Sequence, residues 1–165
     1  MTDSLDNLIE SLREELTQYG ELLALLEAQQ QHILERSPDL VQEGAHQIRV
    51  QTQHLERLKG HREITRKQLY ADLSLEATAR LGDSLDRLPP EYRPLVQALV
   101  DDNRFSITRI RKLARQNHLL LNRSLTTVNE LVDSLYDNGQ PSIYGEDGRF
   151  PTESRGQSIA YEHVC

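Results

Sequence analysis

Residues 4–39 read SLDNLIESLREELTQYGELLALLEAQQQHILERSPD, and this stretch decides the fold. Leu5, Ile9, Leu12, Leu16, Tyr19, Leu23, Leu26 and Ile33 recur at alternating four- and three-residue steps, with Gln30 in the one missing step. That spacing keeps one helix face apolar and is the a/d pattern of a coiled-coil seam. Thr2, Asp3 and Ser4 are good N-cap types, and Asp3 and Asp6 suit the positive end of the helix dipole. The helix should stop near Arg36. Ser37-Pro38-Asp39 disfavours helical geometry before the proline and offers a new start after it. About 32 residues at 1.5 Å rise make a rod of roughly 48 Å.

Working outward, a second helix is expected from about Pro38 to Leu73. Val41, Ile48, Leu55 and Leu69 fall at seven-residue spacing with Arg62 in the empty slot, while Ala45, Thr52, Lys59, Arg66 and Leu73 make a mostly polar companion row. Gly44 and Gly60 each cost about 1 kcal/mol of helix propensity relative to Ala. This is the weakest of the long helices and is placed along one edge of the bundle. Residues 74–89 read as a connector. Within it Leu75 to Leu81 can form a short helix, which Gly82-Asp83 and Pro89-Pro90 interrupt. The third helix is expected over 90–137, with the seam Val96, Val100, Asn103, Ile107, Ile110, Ala114, Asn117, Leu121, Ser124, Val128, Leu131, Leu135. At roughly 70 Å it outlasts the first helix, so part of its apolar stripe outruns its intramolecular partners. Leu120, Leu125 and Val132 widen the stripe toward its end, and an exposed stripe marks a partner site. Asn138-Gly139-Gln140-Pro141 is a C-cap and breaker.

The fold class expected is therefore all-α. It is an elongated antiparallel helical bundle or coiled coil of three long helices (4–36, 38–73, 90–137) in a domain 1–137, followed by a flexible tail 138–165. Composition agrees. Of 165 residues 27% are charged and only 5% aromatic, with no Trp, which suits thin helical core layers better than a bulky globular core. The net charge of -7 argues against general affinity for nucleic acid or anionic membranes. No apolar run approaches the roughly 20 residues that span a bilayer, and the start lacks a signal-peptide pattern. Cys165, the single cysteine, is the last residue and makes no internal disulfide. Cytoplasmic residence follows as the simple expectation.

No enzyme is expected. The sequence has no P-loop, no dinucleotide-type glycine turn, no CxxC and no HExxH. No cofactor and no metal are implied. His54 and His61 share a helix face but stand about 10 Å apart along it, too far to chelate one ion by themselves. The charges divide by helix. Asp3, Asp6, Glu10, Glu14, Glu15, Glu21, Glu27 and Glu35 face only Arg13 and Arg36 in the first helix. Residues 103–129 carry Arg104, Arg109, Arg111, Lys112, Arg115 and Arg123 with no acid. The favoured reading is a complementary pair of helices rather than a nucleic-acid helix, since aromatics able to stack on bases are nearly absent. Asn103 and Asn117 in the third seam admit two readings, a register lock or a place where the seam turns toward a partner. Tyr19 reads as core, its hydroxyl reaching the bundle edge.

The end of the third helix is more specific. Leu119 to Leu135, LLLNRSLTTVNELVDSL, followed by Ile143-Tyr144-Gly145-Glu146-Asp147-Gly148, resembles the FlgN family of flagellar export chaperones. The Leu- and Glu-rich opening, Leu12 to Leu26, fits the same family. The resemblance implies a cytoplasmic chaperone of flagellar type III secretion that holds hook-filament junction (hook-associated) proteins and delivers them to the export gate. It implies a cargo-facing stripe of Leu121, Leu125, Val128, Leu131, Val132 and Leu135, and a docking role at the gate for Tyr144. The segment Arg149 to Cys165 continues beyond the family pattern. A generic coiled-coil scaffold, its seam closed as a homodimer, is the alternative reading.

Overall fold

The computed structural model describes residues 2–76 and 81–137. Three helices, α1 (Thr2–Leu34), α2 (Pro38–Asp72) and α3 (Arg93–Asp137), are joined by a turn and by a connector that holds a 3-10 helix, Leu81–Arg87. The described residues contain no strand. The chain divides into two units, Met1–Leu125 and Thr126–Cys165.

The first unit is a three-helix bundle built around α1. The seam read from the sequence is inside it: Leu5, Ile9, Leu12, Tyr19, Leu23, Leu26 and Ile33 are buried and Leu16 is half-buried. A further column, Leu8, Glu15, Leu22 and Gln29, is buried at seven-residue spacing. A helix that meets two neighbours needs an apolar stripe wider than a two-stranded seam. Each fully buried Leu contributes about 1.5–3 kcal/mol, so α1 is the main source of cohesion.

α2 runs antiparallel to α1. The Ser4 hydroxyl bonds Asp72, Ser11 meets Thr65 at 3.4 Å, and Arg62 donates to Glu15 at 3.0 Å. Nearer the other end, the Gln51 amide donates to the Gln18 carbonyl at 3.0 Å. α2 buries only Gly44, Leu55, Thr65, Leu69 and Tyr70, in keeping with its polar companion row. α3 runs parallel to α1. The Asn103 amide donates to the Leu12 carbonyl at 3.0 Å and the Asn117 amide to the Leu26 carbonyl at 2.8 Å, both across an offset of 91 residues.

Apolar packing is split in two. Leu5, Leu8, Ile9, Leu12, Leu69, Leu88, Val96, Leu99 and Val100 form one cluster. Tyr19, Leu22, Leu26 and Leu55 form the other, with Ile48, Ile107, Ile110 and Leu113 partly buried against it. In sequence order along α1, Glu15 falls between them, fully buried. Its Oε2 accepts from Arg62 and, at 3.4 Å, from the Tyr19 hydroxyl, while its Oε1 has no partner. Tyr19 therefore turns its hydroxyl to a buried carboxylate rather than to the bundle edge. Burial pushes the Glu15 carboxyl above its ordinary range, with Arg62 acting against the shift. Burial also pushes the Tyr19 hydroxyl up to about 12, helped by the neighbouring Glu15 charge.

The two turns after α1 and α2 are alike. Arg36 and Ser74 adopt left-handed conformations with φ of 57° and 55°. In each case the next amide bonds back five residues, Ser37 N–H to His32 O at 3.0 Å and Leu75 N–H to Tyr70 O at 2.9 Å. This is the Schellman ending that satisfies the last free carbonyls of a helix. Pro38 then occupies the first turn of α2, where its missing N–H costs nothing.

The connector differs from expectation. Leu75 and Glu76 are not helical, and Gly82 and Asp83 lie inside the 3-10 helix instead of interrupting a helix before it. The reason is packing. Three residues per turn set Leu85 and Leu88 on one side, where Leu88 is buried and Leu81 and Leu85 pack against the first cluster. α3 starts at Arg93, three residues after Pro90, because a turn with Tyr92 N–H on the Pro89 carbonyl intervenes. Arg93 ties this corner by donating to the Leu88 and Asp86 carbonyls at 2.8 and 2.6 Å.

Candidate partner-binding surface

α3 is apolar along one face, and its burial declines along its length. Val96, Leu99 and Val100 are buried, Ile107, Ile110 and Leu113 half-buried, and Asn117 is the last fully buried residue. Leu120 and Leu121 are half-buried and Leu125, at the end of the first unit, is 61% exposed. Leu34, the last residue of α1, stands 91 positions before Leu125, the offset of the two asparagine bonds.

The described part of the second unit is the end of α3. Val128, Leu131, Val132 and Leu135 recur at three- and four-residue steps and share one helix face. All four are exposed, Leu131 to 59% and Leu135 to 72%. Together they make a contiguous exposed apolar row. The face is chemically simple. It can take the apolar side of an amphipathic helix, as helix-in-groove recognition requires. Tyr144, the residue expected to dock at the export gate, lies outside the described residues.

The basic segment of α3 uses some of its charge internally. Arg109 meets Glu27 of α1 at 3.5 Å, and Arg104 meets Asp101 on its own helix at 3.7 Å. Both pairs are largely solvated, so each is worth at most about 1 kcal/mol. Asn103 and Asn117 resolve differently from a seam turned toward a partner. Both are buried and both bond α1.

Gln29 was not singled out by sequence reasoning. Its Oε1 accepts from Asn117 at 3.2 Å, and it is buried. The signal was present as the seven-residue column Leu8, Glu15, Leu22, Gln29, obscured by its two polar members. Among the described residues no group of His, Cys, Asp and Glu is placed to hold a metal ion, and no helix is long and apolar enough to cross a membrane.

A family model described as FlgN protein matches residues 1–152. No curated protein and no solved structure matches the chain. The matched span takes in all three helices, with the exposed row at the end of α3, and reaches past Tyr144. The chain belongs to the FlgN family, a family of flagellar type III export chaperones.

Proposed function

We propose that this protein is a cytoplasmic chaperone for hook-filament junction (hook-associated) proteins and carries them to the flagellar export gate. The observation that supports the reading is the exposed apolar row at the end of α3. Leu121, Leu125, Val128, Leu131, Val132 and Leu135 form the cargo-facing stripe. A cargo whose terminal helices are apolar and assembly-prone stays soluble when those helices lie against such a stripe, because both surfaces leave water together. Tyr144 is the residue that engages the gate.

The stripe is tested by Leu131→Asp and Leu135→Asp. Burying the exposed remainder of either leucine is worth about 1–2 kcal/mol, and a carboxylate in its place must also be desolvated. Each substitution is expected to weaken binding of a purified hook-associated protein by roughly tenfold or more. Both side chains are mostly solvated in the free chain, so helicity should be unchanged. Calorimetry with circular dichroism alongside reads both quantities. Unchanged affinity in a folded variant would sink the stripe.

A further inference from the structure

Asn103 and Asn117 are costly choices for a buried seam. Each is at least 96% buried, and each leaves its side-chain oxygen Oδ1 without a hydrogen-bond partner. Leucine at either position would bury more apolar surface and remove a stranded Oδ1, with one polar atom, Gln29 Oε1, losing its donor in the case of Asn117. Stability therefore does not account for them.

What they supply is direction. Both amides reach α1 carbonyls at the same offset, from positions two heptads apart on each helix. The apolar contacts around them carry no such information. Leu5, Leu12, Tyr19, Leu26 and Ile33 repeat every seven residues along α1, so a slip of one heptad would again set apolar residues against apolar residues. Asn117 makes one level unlike the rest, because its second bond goes to Gln29 Oε1 at 3.2 Å. One heptad back along α1, that column holds Leu22, which has no side-chain acceptor. One heptad forward lies Arg36, past the end of α1 and in the left-handed turn.

The level matters to the proposed cargo surface. It sets where α1 stops along α3, and within the first unit burial falls from Asn117 through half-buried Leu121 to exposed Leu125 as α1 ends. A slip of one heptad moves that end by about 10 Å and covers or bares two further turns of apolar side chains. We propose that Asn103, Asn117 and Gln29 are positioning residues. They hold α1 and α3 at one level, and so set the length of apolar row offered to an incoming amphipathic helix. The inference rests on the chaperone reading given above for that row.

The test uses Asn103→Leu/Asn117→Leu in the full chain, with Cys165→Ser to allow labelling. Spin labels at the exposed positions Asp6→Cys and Arg115→Cys stand about 27 Å apart along the helix axes at the native level, and about 17 or 37 Å apart after a slip of one heptad. The chain with both asparagines should give one distance population. The double-leucine variant should give a second, at unchanged helicity and without a lower melting temperature. Its affinity for a purified hook-associated protein should fall where the second distance is about 17 Å, the slip that covers the row, by about tenfold where one molecule in ten keeps register, and should not fall where it is about 37 Å, the slip that bares it. A merely structural role predicts the opposite pairing, with stability and affinity falling together at a single distance. That outcome overturns the proposal, as does a double-leucine variant with a single distance and full affinity. If the wild-type chain binds no hook-associated protein, the chaperone reading fails, and the distance measurement alone decides whether the asparagines set the level.

Discussion

Replacing Arg62 by alanine isolates the one carboxylate that is completely buried among the described residues. Glu15 has no solvent exposure, and its Oε2 keeps only the long bond from Tyr19 once the guanidinium is gone. Breaking a buried ion pair by removing one partner costs about 3–5 kcal/mol. The Arg62 side chain is 32% exposed, so water can follow it out, and the lower end, about 3 kcal/mol, is expected. For a chain of this length that is roughly a 10 °C fall in melting temperature. Glu15→Gln removes the buried charge instead, keeps the shape, and leaves Arg62 free to reach water. It should fall within about 1 kcal/mol of wild type, on either side.

The pH dependence carries the sign. Burial holds the folded-state carboxyl of Glu15 above its unfolded value. In the window between the two the native state binds more protons, so this component of stability is present at low pH and is lost as pH rises through the folded-state value. Without Arg62 the carboxyl rises further and the window widens. Arg62→Ala should therefore be weakest at neutral pH and recover part of its loss toward pH 5, while Glu15→Gln lacks the component. Urea unfolding followed by circular dichroism at several pH values measures all three chains. A loss in Arg62→Ala that is under about 1 kcal/mol, or that is equal at every pH, would refute the account of Glu15 as a buried charge balanced by one partner.

Ser74→Gly should stabilise the chain by about 0.5–1 kcal/mol in the same assay, because it relieves the left-handed strain of a residue with a Cβ. Gly60→Ala should add about 1 kcal/mol from helix propensity, since a Cβ there would meet nothing within 4 Å. Tyr144→Ala should leave calorimetric binding of the hook-associated protein intact and reduce its secretion from cells. Normal secretion would remove the gate-docking role.

The stripe of α1 was legible in the sequence because helix periodicity and burial are set by local spacing. A side chain at every third or fourth residue must lie on one face, whatever that face meets. The proline at 38 set the expected end of the first helix near Arg36, two residues past its end at Leu34, and spacing gave the apolar row from Leu121 to Leu135. Periodicity is blind to which of several similar layers meet. Val96, Asn103, Ile110 and Asn117 could pair with α1 at more than one level, since each level offers carbonyls to the asparagines, and the bond from Asn117 to the Gln29 side chain marks one of them.

Local spacing thus determined the helices, their apolar faces and the family pattern. The tertiary structure decided what depends on neighbours distant in the chain. It put Glu15 beside Arg62 and made a 3-10 helix of Leu81–Arg87, where Leu85 and Leu88 had a core to meet. It turned Asn103 and Asn117 inward, and it left Val128, Leu131, Val132 and Leu135 exposed. The apolar spacing is written in the sequence, but which of those side chains are buried depends on neighbours distant in the chain, and that is a property of packing.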